Sequence, residues 1–210
     1  MNAQLKPFLT SEHYLALERQ SETRHEYFDG EVFAMSGGSR AHSRLIVNLI
    51  KDLGNALVDR PYEVLGSDMR VKVQATELYT YPDVSVVCGE ALLEDNRQDT
   101  LLNPLVIVEV LSPSTELYDR GVKFDHYRQI PSLMEYVLVC QTEVRVEPYL
   151  RLPNGEWSLK VATGLEGVLS LPSLQVSLKL SDVYHKVTLP PAPTTAAVQS
   201  PRTAQTASEP

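Results

Sequence analysis

The chain is poor in cysteine and tryptophan and has no long apolar run. Its two cysteines, Cys88 and Cys140, are too few for a disulfide framework and lack the spacing of metal ligands. Both sit in apolar stretches, so they are expected as reduced core thiols of a cytoplasmic protein. The single Trp gives little material for the exposed aromatic platform that a sugar substrate usually wants. No stretch approaches the roughly 20 apolar residues of a bilayer span, and the opening MNAQLKPFLTSEHY carries no apolar signal segment. No membrane association is expected. Basic residues are also scarce, 19 Lys and Arg against 27 Asp and Glu, a formal charge of −8. Broad electrostatic adhesion to nucleic acid is thereby excluded, since phosphate contacts need cations. A local basic groove is not, because net charge says nothing about distribution.

What remains is ordinary globular material: 210 residues, 43% of them hydrophobic. One domain over residues 1–187 is expected. Residues 188–210, rich in Pro, Ala, Thr and Ser, are expected to be a disordered tail. Thr10 or Ser11 can cap a short helix carrying Tyr14, Leu15 and Leu17. Asp29-Gly30 between two short alternating runs predicts a hairpin, because both residues tolerate positive φ. Leu45, Ile46, Leu49, Ile50, Leu53 and Leu57 recur with helical period, one turn after His42. Strands are predicted over 62–73, 83–88 and 105–111, with 89–103 as an exposed excursion and its acidic residues 94, 95 and 99 solvated. A helix over 119–130 should stop at Pro131. A strand over 134–140 and a second hairpin turning at Asn154-Gly155 complete a mixed α+β order.

Chemistry gathers between residues 81 and 139. Glu109 is an acid within Leu105–Leu111, which is otherwise wholly apolar. A charge there is costly without a partner or a metal. Strand alternation puts Ile107, Glu109 and Leu111 on one face. Asp83 follows Pro82, a common turn arrangement, and gains weight because its strand precedes that of Glu109 in the same unit. Two carboxylates converging on one ion suit a hard divalent cation such as Mg²⁺, which keeps waters and leaves room for a phosphate. Asp119, Lys123 and Tyr127 at spacing four share a helix face. Lys123 near a phosphoryl oxygen could stabilise developing charge. Tyr127 is read as a packing residue with a wet hydroxyl. His42 and Glu31 are candidate accessory residues, and Glu26 is read as a surface residue.

With these residues the chain resembles the restriction endonuclease-like superfamily of PD-(D/E)XK nucleases, and more closely its Uma-two branch of predicted endonucleases. The resemblance covers roughly residues 8–185. It is carried by Tyr27-Phe28-Asp29-Gly30-Glu31, His42, Pro82-Asp83-Val84, Val108 through Ser114, and Lys123 followed by Tyr127. It implies a mixed central sheet flanked by helices, here with N-terminal and C-terminal β-hairpins. It also implies Mg²⁺-dependent (or Mn²⁺-dependent) phosphodiester hydrolysis with Asp83 and Glu109 as metal ligands. In the superfamily pattern a Lys stands two residues after the Glu, whereas here that position is Leu111. The resemblance suggests that the role has moved to Lys123.

The expected function is therefore a metal-dependent endonuclease acting on nucleic acid, DNA in particular. Dimerisation to a homodimer would suit a duplex cutter. Leu111 and the acidic balance motivate an alternative, a non-catalytic binding or regulatory module on a nuclease fold. A hydrolase using the two carboxylates as an acid/base pair ranks last, since neighbouring strands suit a shared ion better than a water-sized gap.

Overall fold

The computed structural model describes residues 8–191. Helix α1 (Ser11–Glu18) starts where the Thr10 hydroxyl accepts the His13 amide. Strands β1 (His25–Phe28) and β2 (Glu31–Ala34) are joined by Asp29 and Gly30, both at positive φ (47° and 78°), the two-residue turn that matches strand twist. Helix α2 (Arg40–Leu57) opens at Ser39, whose side chain accepts from the His42 amide. Then come β3 (Tyr62–Gly66), β4 (Arg70–Val73), β5 (Leu78–Thr80), β6 (Val84–Cys88), β7 (Thr100–Leu101) and β8 (Val106–Leu111). Two short helices, α3 (Glu116–Arg120) and α4 (Val122–Tyr127), lead to β9 (Glu135–Cys140), β10 (Arg145–Arg151) and β11 (Trp157–Leu159). The chain closes with β12 (Ala162–Thr163), β13 (Val168–Leu171), β14 (Val176–Lys179) and α5 (Leu180–Val183).

The larger sheet runs β11-β10-β9-β8-β6-β3, with β12 paired to β10. Its β8–β9 pair is parallel and β6 runs antiparallel to β8. The smaller sheet runs β2-β1-β5-β4-β7. Strand β8 is buried along its whole length and feeds two cores. Val106, Val108 and Val110 meet Leu45, Leu49, Leu53 and Leu57 of α2 in one core. Ile107 and Leu111 meet Val71, Val73, Tyr127 and Tyr136 in the other. Each of those α2 leucines is at most 2% exposed, and burying such a side chain stabilises by about 1.5–3 kcal/mol. Glu109 therefore projects into the second core, as strand alternation predicts. Among the described residues no helix is long and apolar enough to cross a membrane.

Several expectations are corrected. The strand over 62–73 is two strands in different sheets, broken after Gly66, where Met69 N–H bonds back to Gly66. The helix over 119–130 is two helices meeting at Gly121, where an added Cβ would lie 3.2 Å from the Leu117 carbonyl oxygen. The 89–103 excursion is not wholly exposed, since Thr100 and Leu101 are buried and pair parallel with β4. Its acids are not simply solvated, because Glu94 and Asp99 bond Lys72 and Arg19. Cys88 ends its strand at the surface and Cys140 is half-buried, so neither is a core thiol. Most of the expected tail, from residue 192 on, lies outside the described residues.

Candidate active site

Antiparallel pairing aligns Val84 with Val108, and this register carries Asp83, one residue before β6, alongside Glu109 on β8. The Asp83 amide lies 3.4 Å from Glu109 Oε2, and Asp83 Oδ2 accepts the Val110 amide at 2.7 Å. His42 approaches from the start of α2, with Nε2 3.3 Å from Asp83 Oδ2. That helix end is pinned in turn: Ser39 Oγ donates to Gln141 Oε1 at 2.5 Å, and Gln141 Nε2 donates to the Leu111 carbonyl at 2.8 Å. The helix start is thus tied to the ends of β8 and β9, beside Asp83.

From the other side come α3 and α4. Lys123 Nζ lies 2.9 Å from Glu109 Oε1, 3.0 Å from Glu26 Oε1 and 3.6 Å from Asp119 Oδ1. Tyr127 donates its hydroxyl to the same Glu109 oxygen at 2.8 Å. Glu26 also accepts from Thr80 Oγ1 at 2.5 Å. Asp83, Glu109, Lys123, His42 and Tyr127 thus come together. Leu111 packs in the apolar core, and Lys123 reaches the Glu109 carboxylate from the following helix instead. Glu31 lies on β2, whose residues are all exposed. The Tyr127 hydroxyl is not wet: the residue is fully buried and bonded to Glu109.

Glu26 escaped the sequence reading, which places Asp119 only on the helix face shared with Lys123 and Tyr127. Glu26, expected at the surface, shares the Lys123 amine, and Asp119 is buried. The available signal for Glu26 was Phe28, two residues on and so on the same strand face, which packs against the second core.

Burial dominates the electrostatics. It drives the Glu109 carboxyl up to about 8, against Lys123, with Asp119 and Asp83 adding to the rise. Asp119 is raised by burial too, again opposed by Lys123. For Lys123, burial alone would lower the amine, but Glu109, Tyr127, Glu26 and Asp119 more than offset it and hold it well above its ordinary value. His42 is raised by its bond to Asp83, with burial opposing.

Glu26, Asp83, Glu109 and Asp119 therefore face Lys123 and His42, more acidic groups than cations in a largely buried place. Such a set suits a hard cation, which would relieve the upward pressure on Glu109. Among the described residues no group of three or more His, Cys, Asp or Glu is arranged to hold an ion. Mg²⁺ commonly takes only one or two carboxylates and completes its shell with water and substrate phosphate. Asp83 and Glu109 fit that pattern.

Residues 11–182 match the model of the Uma2 family, described as "Putative restriction endonuclease". Two Synechocystis sp. proteins described as uncharacterized are similar in sequence. One is 38% identical over 180 residues, spanning 85% of this chain and 93% of its own. The other is 40% identical over 156 residues, spanning 74% and 88%. The crystal structure of "a putative nuclease belonging to DUF820" from Anabaena variabilis superposes with a TM-score of 0.70 at 18% identity, covering 84% of this chain and 97% of that one. At that identity the likeness is one of fold, and the fold is restriction endonuclease-like, with mixed sheets flanked by helices.

Proposed function

The chain belongs to the Uma2 family, and from that premise we propose that it is a divalent-metal-dependent endonuclease hydrolysing phosphodiester bonds of DNA. The observation that carries the reading is the 2.9 Å approach of Lys123 Nζ to Glu109 Oε1, beside the Asp83 carboxylate. Asp83 and Glu109 would hold Mg²⁺ or Mn²⁺. When bound, such an ion supplies charge neutralisation at the phosphate and a more acidic water. Lys123 stabilises charge developing on the phosphoryl oxygens, and Glu26 and Asp119 hold its ammonium in the site. Tyr127 orients Glu109 by donating to Oε1, and His42 and the Val110 amide orient Asp83 through Oδ2. Cutting both strands of a duplex would suit two copies of the chain.

The test is incubation of the full chain with plasmid and oligonucleotide DNA in Mg²⁺, Mn²⁺ or chelator. Metal-dependent cleavage, lost in Asp83→Ala, Glu109→Ala and Lys123→Ala, is expected. Cleavage that survives Asp83→Ala or Glu109→Ala would sink the site assignment. Leu111, apolar and 3% exposed where the superfamily pattern has Lys, favours a second reading, a nuclease-fold module that binds without cutting. Retention of DNA with no cleavage in any metal would select it.

A further inference from the structure

In this acidic chain several cations pair with a carboxylate, among them Arg19, Arg24, Arg70, Lys72 and Arg120. Arg40, Arg44 and Lys186 differ. All three are exposed, none forms an ion pair or hydrogen bond with a described residue through its side chain, and together they line one cavity of about 50 Å³. That is room for a few water-sized groups. Arg40 and Arg44 stand one turn apart on α2. Lys186 is brought to them by Asn48, a buried residue of the same helix that donates to the Val183 carbonyl at 2.8 Å and the His185 carbonyl at 2.9 Å. The segment after α5 is thus latched to α2, and the three cations are held together before any ligand arrives. Three like charges sharing one concavity repel one another, which an anion would relieve.

We propose that Arg40, Arg44 and Lys186 form a phosphate-binding cleft for the DNA strand that runs past the active site. The proposal rests on the nuclease reading and extends it to substrate binding. His42, between the two arginines in sequence, lies about half a turn round the helix and faces Asp83. A helix is about 10–12 Å across with its side chains, so the two faces of the start of α2 lie within reach of one DNA strand. A strand with one phosphate near Asp83 and Glu109 can cross the start of α2 and present a neighbouring phosphate to the cleft. This is the local basic surface that the net charge leaves open.

The experiment measures binding of a short fluorescein-labelled duplex to the full chain by anisotropy, in chelator, over about 50–200 mM salt. The triple variant Arg40→Gln, Arg44→Gln, Lys186→Gln is compared with a control of equal charge change, Arg97→Gln, Lys160→Gln, Lys179→Gln, whose residues are also exposed. Each phosphate contact contributes about 0.9 to the slope of log affinity against log salt. Across that fourfold rise in salt, the wild type should therefore lose about 40 times more affinity than the triple variant if all three contacts exist, and about 3.5 times more per single contact. The control should follow the wild type. A triple variant that binds with wild-type affinity and slope, a control that loses as much, or a wild type that binds no duplex each overturns the cleft. Cleavage in Mg²⁺ or Mn²⁺, followed in parallel, separates the two claims. A wild type that cuts while the triple variant binds normally removes the cleft and keeps the nuclease. A wild type that never cuts but loses binding in the triple variant removes the nuclease and keeps the cleft.

Discussion

Arg70 and Lys123 are each buried among acids, one on the smaller sheet and one beside the larger. Arg70 is 3% exposed and donates to Thr100 Oγ1 at 3.0 Å and the Tyr81 hydroxyl at 2.8 Å, with Nη2 3.0 Å from Asp99 Oδ1. Arg19 joins it on Asp99, and Tyr81 passes a hydrogen bond to Glu18. Positive and negative charges roughly match there. Asp99 is accordingly held down to about 2, chiefly by Arg19 against its own desolvation. Around Lys123 the carboxyls are buried more deeply, and desolvation, with neighbouring acids adding to it, moves Glu109 and Asp119 up instead. The same ingredients thus give opposite shifts, and the direction separates a scaffold cluster from a strained one. Carboxylates shifted upward by desolvation beside a specific charge partner are what active sites collect. The choice of cation agrees: the planar Arg fork suits fixed multiple bonds, while Lys is a compact point charge.

The largest expected effect would break this comparison at its structural side. Arg70→Ala leaves Asp99 to Arg19 but takes the donor from Thr100 Oγ1 and the Tyr81 hydroxyl, and should destabilise in urea unfolding by about 1–3 kcal/mol for each of these two buried groups, with cleavage per folded molecule retained. Loss of cleavage in the folded variant would mean that the two clusters are not separate. On the other side, Glu109→Gln keeps size and hydrogen-bonding capacity while removing an acid whose ionised form burial already disfavours. Its stability should change by less than about 1.5 kcal/mol, whereas cleavage should fall on the order of 100-fold or more.

Titration sharpens the contrast, because the clusters respond at opposite ends of the pH scale. Asp99 is shifted down from 3.8 to about 2, so its stabilisation is present above 3.8 and lost as pH falls through 2. Glu109 is shifted up from 4.5 to about 8, so its contribution is present below 4.5 and lost as pH rises through 8. Thermal melting across pH should show both flanks. Asp99→Asn should flatten the acid flank alone, and Glu109→Gln the alkaline flank alone. Millimolar Mg²⁺ should raise the alkaline flank of the wild type and leave that of Glu109→Gln in place. An alkaline flank that persists in Glu109→Gln would assign that titration elsewhere.

Glu109 was legible because an acid inside an apolar strand violates the local pattern, and β8 resolves the violation with Lys123 and Tyr127. The α2 stripe and the Asp29-Gly30 turn were legible for the same reason in reverse, since pattern and structure agree. What was missed is non-local or hangs on one residue. Glu26 finds Lys123 far along the chain, a contact that no periodicity encodes. The helix break depends on Gly121, and the split of 62–73 on the turn after Gly66, where alternating apolar residues on both sides mimic one strand. Gly within each pattern was the signal, and each pattern was strong enough to hide it.

The smallest expected effect compares two buried tyrosine hydroxyls. Tyr81 sits between Arg70 and Glu18, while Tyr127 donates to a Glu109 oxygen that Lys123 already holds. Either Phe substitution removes hydrogen bonds worth about 0.5–1.5 kcal/mol each, so both variants should lose modest stability. Only Tyr127→Phe should touch cleavage. Its hydroxyl orients Glu109 without meeting the reacting phosphate, so a bond of about 1 kcal/mol expressed wholly in the transition state corresponds to about fivefold in kcat. A loss as deep as that of Glu109→Gln would make Tyr127 a participant in the chemistry, and no loss would show that Lys123 alone sets the carboxylate's position.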